Sequence, residues 1–154
     1  MKVNGVQTSV VASCTGAVCY TSEGLEDLRK EMRRVRAAAE RLGVALERVF
    51  FSSPSPGTVA NCFENDFYGS REEYVEALAA AMAVEYEAIQ GAGFKLQVDC
   101  PDLAMARHTR FFKKSLTEFQ AAARLQVQAL NKALEQLDAS RIRMHVPLSP
   151  LRVL

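Results

Sequence analysis

The chain has 154 residues, 49% hydrophobic and 24% charged, with a formal net charge of +1. That length supports one domain with a real core, and the balanced charge gives no electrostatic case for a nucleic-acid or membrane partner. No apolar run is long enough to span a bilayer, and Cys14, Cys19, Cys62 and Cys100 fit neither a zinc ribbon nor a Cys-x-x-Cys redox motif, which reads as reduced thiols in a cytoplasmic protein.

The start, MKVNGVQTSVVASC, carries one lysine and an apolar stretch broken by Thr and Ser. It reads as a strand over 6–12 rather than a signal peptide. Ser22 is the expected N-cap of a helix carrying Leu25, Leu28, Met32, Val35, Ala39 and Leu42 on one stripe, closed by Gly43. Its other face holds Lys30, Arg33, Arg34, Arg36 and Glu40. That cluster reads as a solvated face, with a phosphate site as the alternative.

A second strand is predicted over 46–53. The stretch SSPSPGTVANCFENDFYGS then reads as a long loop, because Pro54, Pro56 and Gly57 exclude regular structure at its start. Its length favours a functional role, with Phe63, Phe67 and Tyr68 pinning it to the body. Ser70 and Glu73 form a capping box before a helix with Tyr74, Leu78, Met82, Tyr86 and Ile89 on one stripe.

After Gly91 and Gly93, Phe94, Leu96 and Val98 alternate with Lys95 and Gln97, a strand that ends on Asp99. Pro101 suits the first turn of a short helix over 101–108. Asp99 therefore either caps that helix or stands where α/β folds place ligand-binding residues. Ser115 and Glu118 form a second capping box, opening a helix with Leu116, Phe119, Ala123, Val127, Leu130, Leu134 and Leu137. RIRMHV, 141–146, is the last predicted strand, and 147–154 form a tail without pattern.

Strand–helix alternation of this length demands parallel pairing through right-handed crossovers. Polar groups then collect at one end of the sheet: Ser13, Thr15, Ser53, Ser55, Asp99 and His145. Thr15, Ser53, Ser55 and Asp99 are the candidate substrate-binding residues and His145 the candidate metal ligand; no catalytic residue is assigned. His145 and Asp99 at neighbouring strand ends suit either an acid–base pair or one corner of a zinc site. His108 reads as a surface residue. Val10, Phe50, Leu96 and Met144 are the expected inward-facing residues, and the outer strands the expected exposed edges.

Several motifs in order carry a family resemblance. They are the S-P-G-T loop, the N-x-[FY]-Y-x-[ST]-x-E-E-Y box, E-Y-x-A-I-x-x-A-G-F-x-L-Q-[IV]-D, P-D-L-A-M-x-R-H and R-[IV]-R-M-H-V. Over residues 6–146 the chain resembles the catalytic barrel of cobalamin-independent methionine synthase and the shorter bacterial and fungal proteins similar to it. The resemblance implies an α/β fold that is a partial (β/α)8 barrel of the TIM type, about four parallel strands with intervening helices. It implies a zinc-dependent transfer of a methyl group from 5-methyltetrahydrofolate to the thiol of homocysteine. Asp99 matches the carboxylate that holds the amino-acid substrate, and His145 matches a zinc ligand. The family's His-x-Cys reads here His145-Val146-Pro147, Cys100 replaces an acidic residue, and the remaining zinc ligands belong to later strands. A full barrel takes about 250 residues. The expectation is therefore a truncated or split member, inactive alone, that associates with itself or with a complementary barrel fragment. A non-catalytic folate or amino-acid binding module, or another activity of the wider barrel superfamily, are the rival readings.

Overall fold

The computed structural model describes residues 12–147, together with the backbone of 2–3 and 6–7. In chain order its elements are β1 (Lys2–Val3), β2 (Val6–Gln7), β3 (Ser13–Cys14), α1 (Ser22–Arg41), β4 (Phe50–Pro54), α2 (Pro56–Cys62), β5 (Glu64–Asn65), α3 (Arg71–Gly91), β6 (Lys95–Asp99), α4 (Leu116–Leu134) and β7 (Ile142–His145). Short 3-10 turns precede β4 and β7 and follow β6.

Local chemistry sets these boundaries. Thr21, not Ser22, caps α1, its Oγ1 accepting from the Gly24 N–H at 3.1 Å. Ser70 accepts from Glu73 N–H at 3.1 Å, but the Glu73 carboxylate turns to Gly69 N–H, so only half of that capping box forms. Ser115 and Glu118 make the full reciprocal box at α4. α1 and α3 end alike. Gly43 at φ +64° and Gly93 at φ +93° take the left-handed turn that a Cβ disfavours. The next residues, Val44 and Phe94, donate back to Ala39 and Ile89, the Schellman arrangement.

The strands pair in parallel where the alternation demands it. β6 lies between β4 and β7, parallel to both. β3 and β5 form a second small parallel sheet. The chain is thus α/β, with four α-helices among the described residues. The expected strand over 6–12 is observed only as β2, which pairs antiparallel with β1 and not with the three-stranded sheet; 8–11, with Val10, lie outside the described residues, as does the tail beyond Pro147.

One face of the three-stranded sheet is covered. Leu96 and Val98, with Phe94 and Cys100 flanking them, are fully buried in a core with Tyr74, Val75, Leu78, Met82, Tyr86 and Ile89 of α3 and Ala129, Leu130 and Ala133 of α4. The opposite face carries Phe50 and Ser52 of β4, Lys95, Gln97 and Asp99 of β6, and Arg143 and His145 of β7, by the register of the ladders and strand alternation. Phe50 is the one described residue of the expected inward set that lies there. Leu96 and Met144 lie on the other side, Leu96 buried and Met144 exposed, because a strand's neighbours alternate faces and Asp99 and His145 take the open one.

Three other expectations are corrected. Pro56 does not exclude structure: it stands at the first turn of α2, with Ser55 as the N-cap. Of the aromatic loop residues, Tyr68 pins the segment, accepting from Val18 N–H at 2.7 Å and stacking on Tyr74, while Phe63 and Phe67 are exposed. α4 buries Gln126, Ala129, Leu130 and Ala133, a stripe rotated from the large apolar one; its small residues let α4 approach its neighbours closely, and Leu116 and Val127 are left exposed.

Candidate functional site

Strand periodicity builds the open face. Side chains two apart share a face, so Gln97 stands with Asp99, and Arg143 with His145. The four form one chain of contacts. Arg143 Nε donates to Gln97 Oε1 at 2.7 Å. Gln97 Nε2 donates to Asp99 Oδ1 at 2.8 Å and to Ser52 Oγ at 3.1 Å. Asp99 Oδ1 lies 3.1 Å from His145 Nδ1. The Arg143 guanidinium covers the Phe50 ring, 3.4 Å from its centroid. Asp99 thus faces the open side and does not serve as a cap: the short helix after it, Pro101–Leu103, has Cys100 at its N-cap position and no side-chain capping bond.

The other sequence candidates lie elsewhere. Ser53 is 1% exposed on the covered face, and its Oγ has no hydrogen-bond partner among the described residues. Ser55 is also buried; its Oγ accepts from Thr58 N–H at 3.0 Å and donates to Asp102 Oδ1 at 2.6 Å. Thr15 is exposed just past β3, in the other sheet. His108 is exposed, as expected. Among the sequence candidates, only Asp99 and His145 bring their side chains together; Ser55 meets Asp99 through the backbone alone, its N–H donating to the Asp99 carbonyl at 2.9 Å.

Sequence reading passed over Gln97, Ser52 and Arg143, although their two-residue spacing from Asp99, Pro54 and His145 places them on the open face. It also passed over Asp102. This carboxylate is 3% exposed, and Oδ1 accepts from Ser55 and from Thr58 Oγ1 at 2.9 Å. Burial pushes its pKa above the ordinary aspartate range, while the two hydroxyls pull it back. Thr58, Asn61, Cys62, Asp102, Thr109 and Arg110 are among the residues around a neighbouring cavity of about 470 Å³.

A zinc ion does not fit the donors on this face. Position 147 is proline, and no three His, Cys, Asp or Glu side chains converge among the described residues. Cys100 is no substitute ligand. Its side chain is buried on the covered side, and burial holds the thiol pKa up at about 12, away from the thiolate that zinc requires. The four cysteines form no disulfide. Among the described residues, no helix is long and apolar enough to cross a membrane. No family model, no curated protein and no solved structure matches the chain.

Proposed function

We propose that the chain is part of a (β/α)8 barrel of the cobalamin-independent methionine synthase-like kind, and that its open sheet face is the amino-acid end of a homocysteine methyltransferase site. The observation that carries this is the Asp99–His145 pair at 3.1 Å on adjacent strand ends, braced by Gln97 on the same face. A carboxylate held this way offers Oδ2 to the ammonium group of an amino acid. It also orients the His145 ring, leaving Nε2 for a substrate or ligand. The parallel order β4-β6-β7 with helices on one side supports the barrel, as does the exposed apolar flank of α4. The reading implies a cytoplasmic protein, with 5-methyltetrahydrofolate as methyl donor and zinc as thiol activator in a complete site. With the donors present here, the isolated chain performs no methyl transfer.

Calorimetric titration with homocysteine and methionine tests the site. Wild-type chain should bind weakly but saturably. Asp99→Asn should abolish binding while shifting stability by less than about 1 kcal/mol, since the pair it breaks is partly exposed. Equal binding by both proteins, or none by the wild type, refutes the assignment. The outer edges of β4 and β7, unpaired among the described residues, favour a second reading, in which another chain completes the barrel. Methyl transfer absent from the isolated chain and recovered on co-expression with a complementing fragment is its signature.

A further inference from the structure

A cleft of about 490 Å³ beside the start of α3 is walled by Glu64, Arg71, Arg110, Phe111 and Lys114. Three of these five side chains are cationic and one is a carboxylate. Arg110 takes that carboxylate: its two terminal nitrogens donate to the two oxygens of Glu64 at 2.7 and 2.6 Å, a bidentate pair. Lys114 lies 3.4 Å from Glu118. Arg71 is different. Among the described residues it forms no ion pair, and its side chain donates to the Asn61 Oδ1 at 2.7 Å. Its Nε is shielded from solvent and has no partner among the described residues; the same holds for the Asn61 Nδ2.

Folded proteins match buried donors and buried charges with partners. Here burial and the neighbouring charge of Arg110 both work against the Arg71 guanidinium, holding its pKa below the ordinary arginine value. A planar fork with unspent donors, beside a second guanidinium and an ammonium, is the arrangement that receives an oxyanion. We propose that this cleft binds the carboxylate or phosphate group of a small molecule, held by Arg71 and Lys114, with Phe111 lining the side open to the ligand's apolar part. The site shares no residue with the Asp99–His145 face and stands independently of the function proposed for it.

The test is calorimetric titration of the full chain with sodium phosphate and with sodium acetate, each matched in ionic strength with sodium chloride. Saturable binding of at least one anion is expected, and which of the two binds identifies the oxyanion. Arg71→Gln should weaken it about tenfold or more, the loss expected for a charged hydrogen bond; Lys114→Gln should weaken it less. Arg33→Gln, on the exposed face of α1, controls for general charge and should leave binding unchanged. Absence of saturable binding by the wild type, or wild-type affinity in Arg71→Gln, overturns the proposal. Should Arg71→Gln fail to fold, the Arg71 Nε–H resonance of the wild type decides: it must shift saturably with the anion, and a resonance that stays in place overturns the proposal equally.

Discussion

Asp102 is a carboxylate nearly out of reach of water, answered by two hydroxyls and by no ion-pairing cation among the described residues. Because burial raises its folded-state pKa above the ordinary 3.8, the native state holds this proton more tightly than the unfolded chain does. Its favourable contribution is fully present below that ordinary value and is lost as pH rises through the raised native one. Glu64, Glu118 and Asp138 are shifted the other way, Glu64 by Arg110, Glu118 by the Ser115 backbone and Asp138 by Ser140; their stabilisation is lost as pH falls. Asp102→Asn leaves those groups in place. Urea midpoints measured across the acid range should show the wild type losing stability relative to Asp102→Asn as pH rises above the ordinary aspartate value. A difference between the two proteins that stays constant with pH would show that Asp102 titrates normally. Nothing in the sequence marked this residue, since its environment is made by Ser55 and Thr58, more than forty positions away.

At the scale of elements, α2 is the helix that sequence reading missed. Ser55, Pro56 and Gly57 resemble a turn, yet the first two are an N-cap and a first-turn proline, the same logic that marked Pro101. Gly57 is there for space. A Cβ on it would lie 2.2 Å from Asp102 Oδ2 and 2.7 Å from Gln126 Cγ. Gly57→Ala should therefore destabilise by about 1–3 kcal/mol, as overpacking does, measured by chemical denaturation. Gly16→Ala, with nothing within 4 Å of its Cβ position, is the control; equal effects would mean that the contact is not what selects glycine. α3 was readable because its five predicted apolar positions are all buried. α4 was readable as a capped helix, and Leu130, Leu134 and Leu137 of its predicted stripe do pack into the core, while Ala129 and Ala133 take buried places that apolar size did not mark. The candidate site was half readable: Asp99 and His145 ended alternating strands, whereas Ser53 and Ser55 fell on sides that only the register and the α2 cap decide.

At the scale of the whole molecule, the sheet has two outer strands, β4 and β7, each hydrogen-bonded on one side only among the described residues. Such edges recruit further strands. The open face between them is polar, with Gln97, Asp99, Arg143 and His145, so association should proceed through the edges rather than through that face. Sedimentation velocity over a range of concentrations should show a reversible rise in mass. A single monomeric species at every concentration, with cooperative unfolding, would show that these edges do not pair. The parallel order was foreseeable from the alternation of strands and long helices, and the central place of β6 from the expectation that the edges fall to the strands over 6–12 or 46–53 on one side and 141–146 on the other. That central place also governs how the chain reaches its fold. Ser52 meets Gln97 across 45 residues, and Gln97 meets Arg143 across 46, so neither ladder of the main sheet can nucleate locally. Closing each loop costs chain entropy before any strand bond repays it. During synthesis, β4 must wait for β6 to leave the ribosome, and β6 must wait again for β7. The capped helices can flicker into shape early, while the sheet that carries Asp99 and His145 is completed only when residues as far as His145 have emerged.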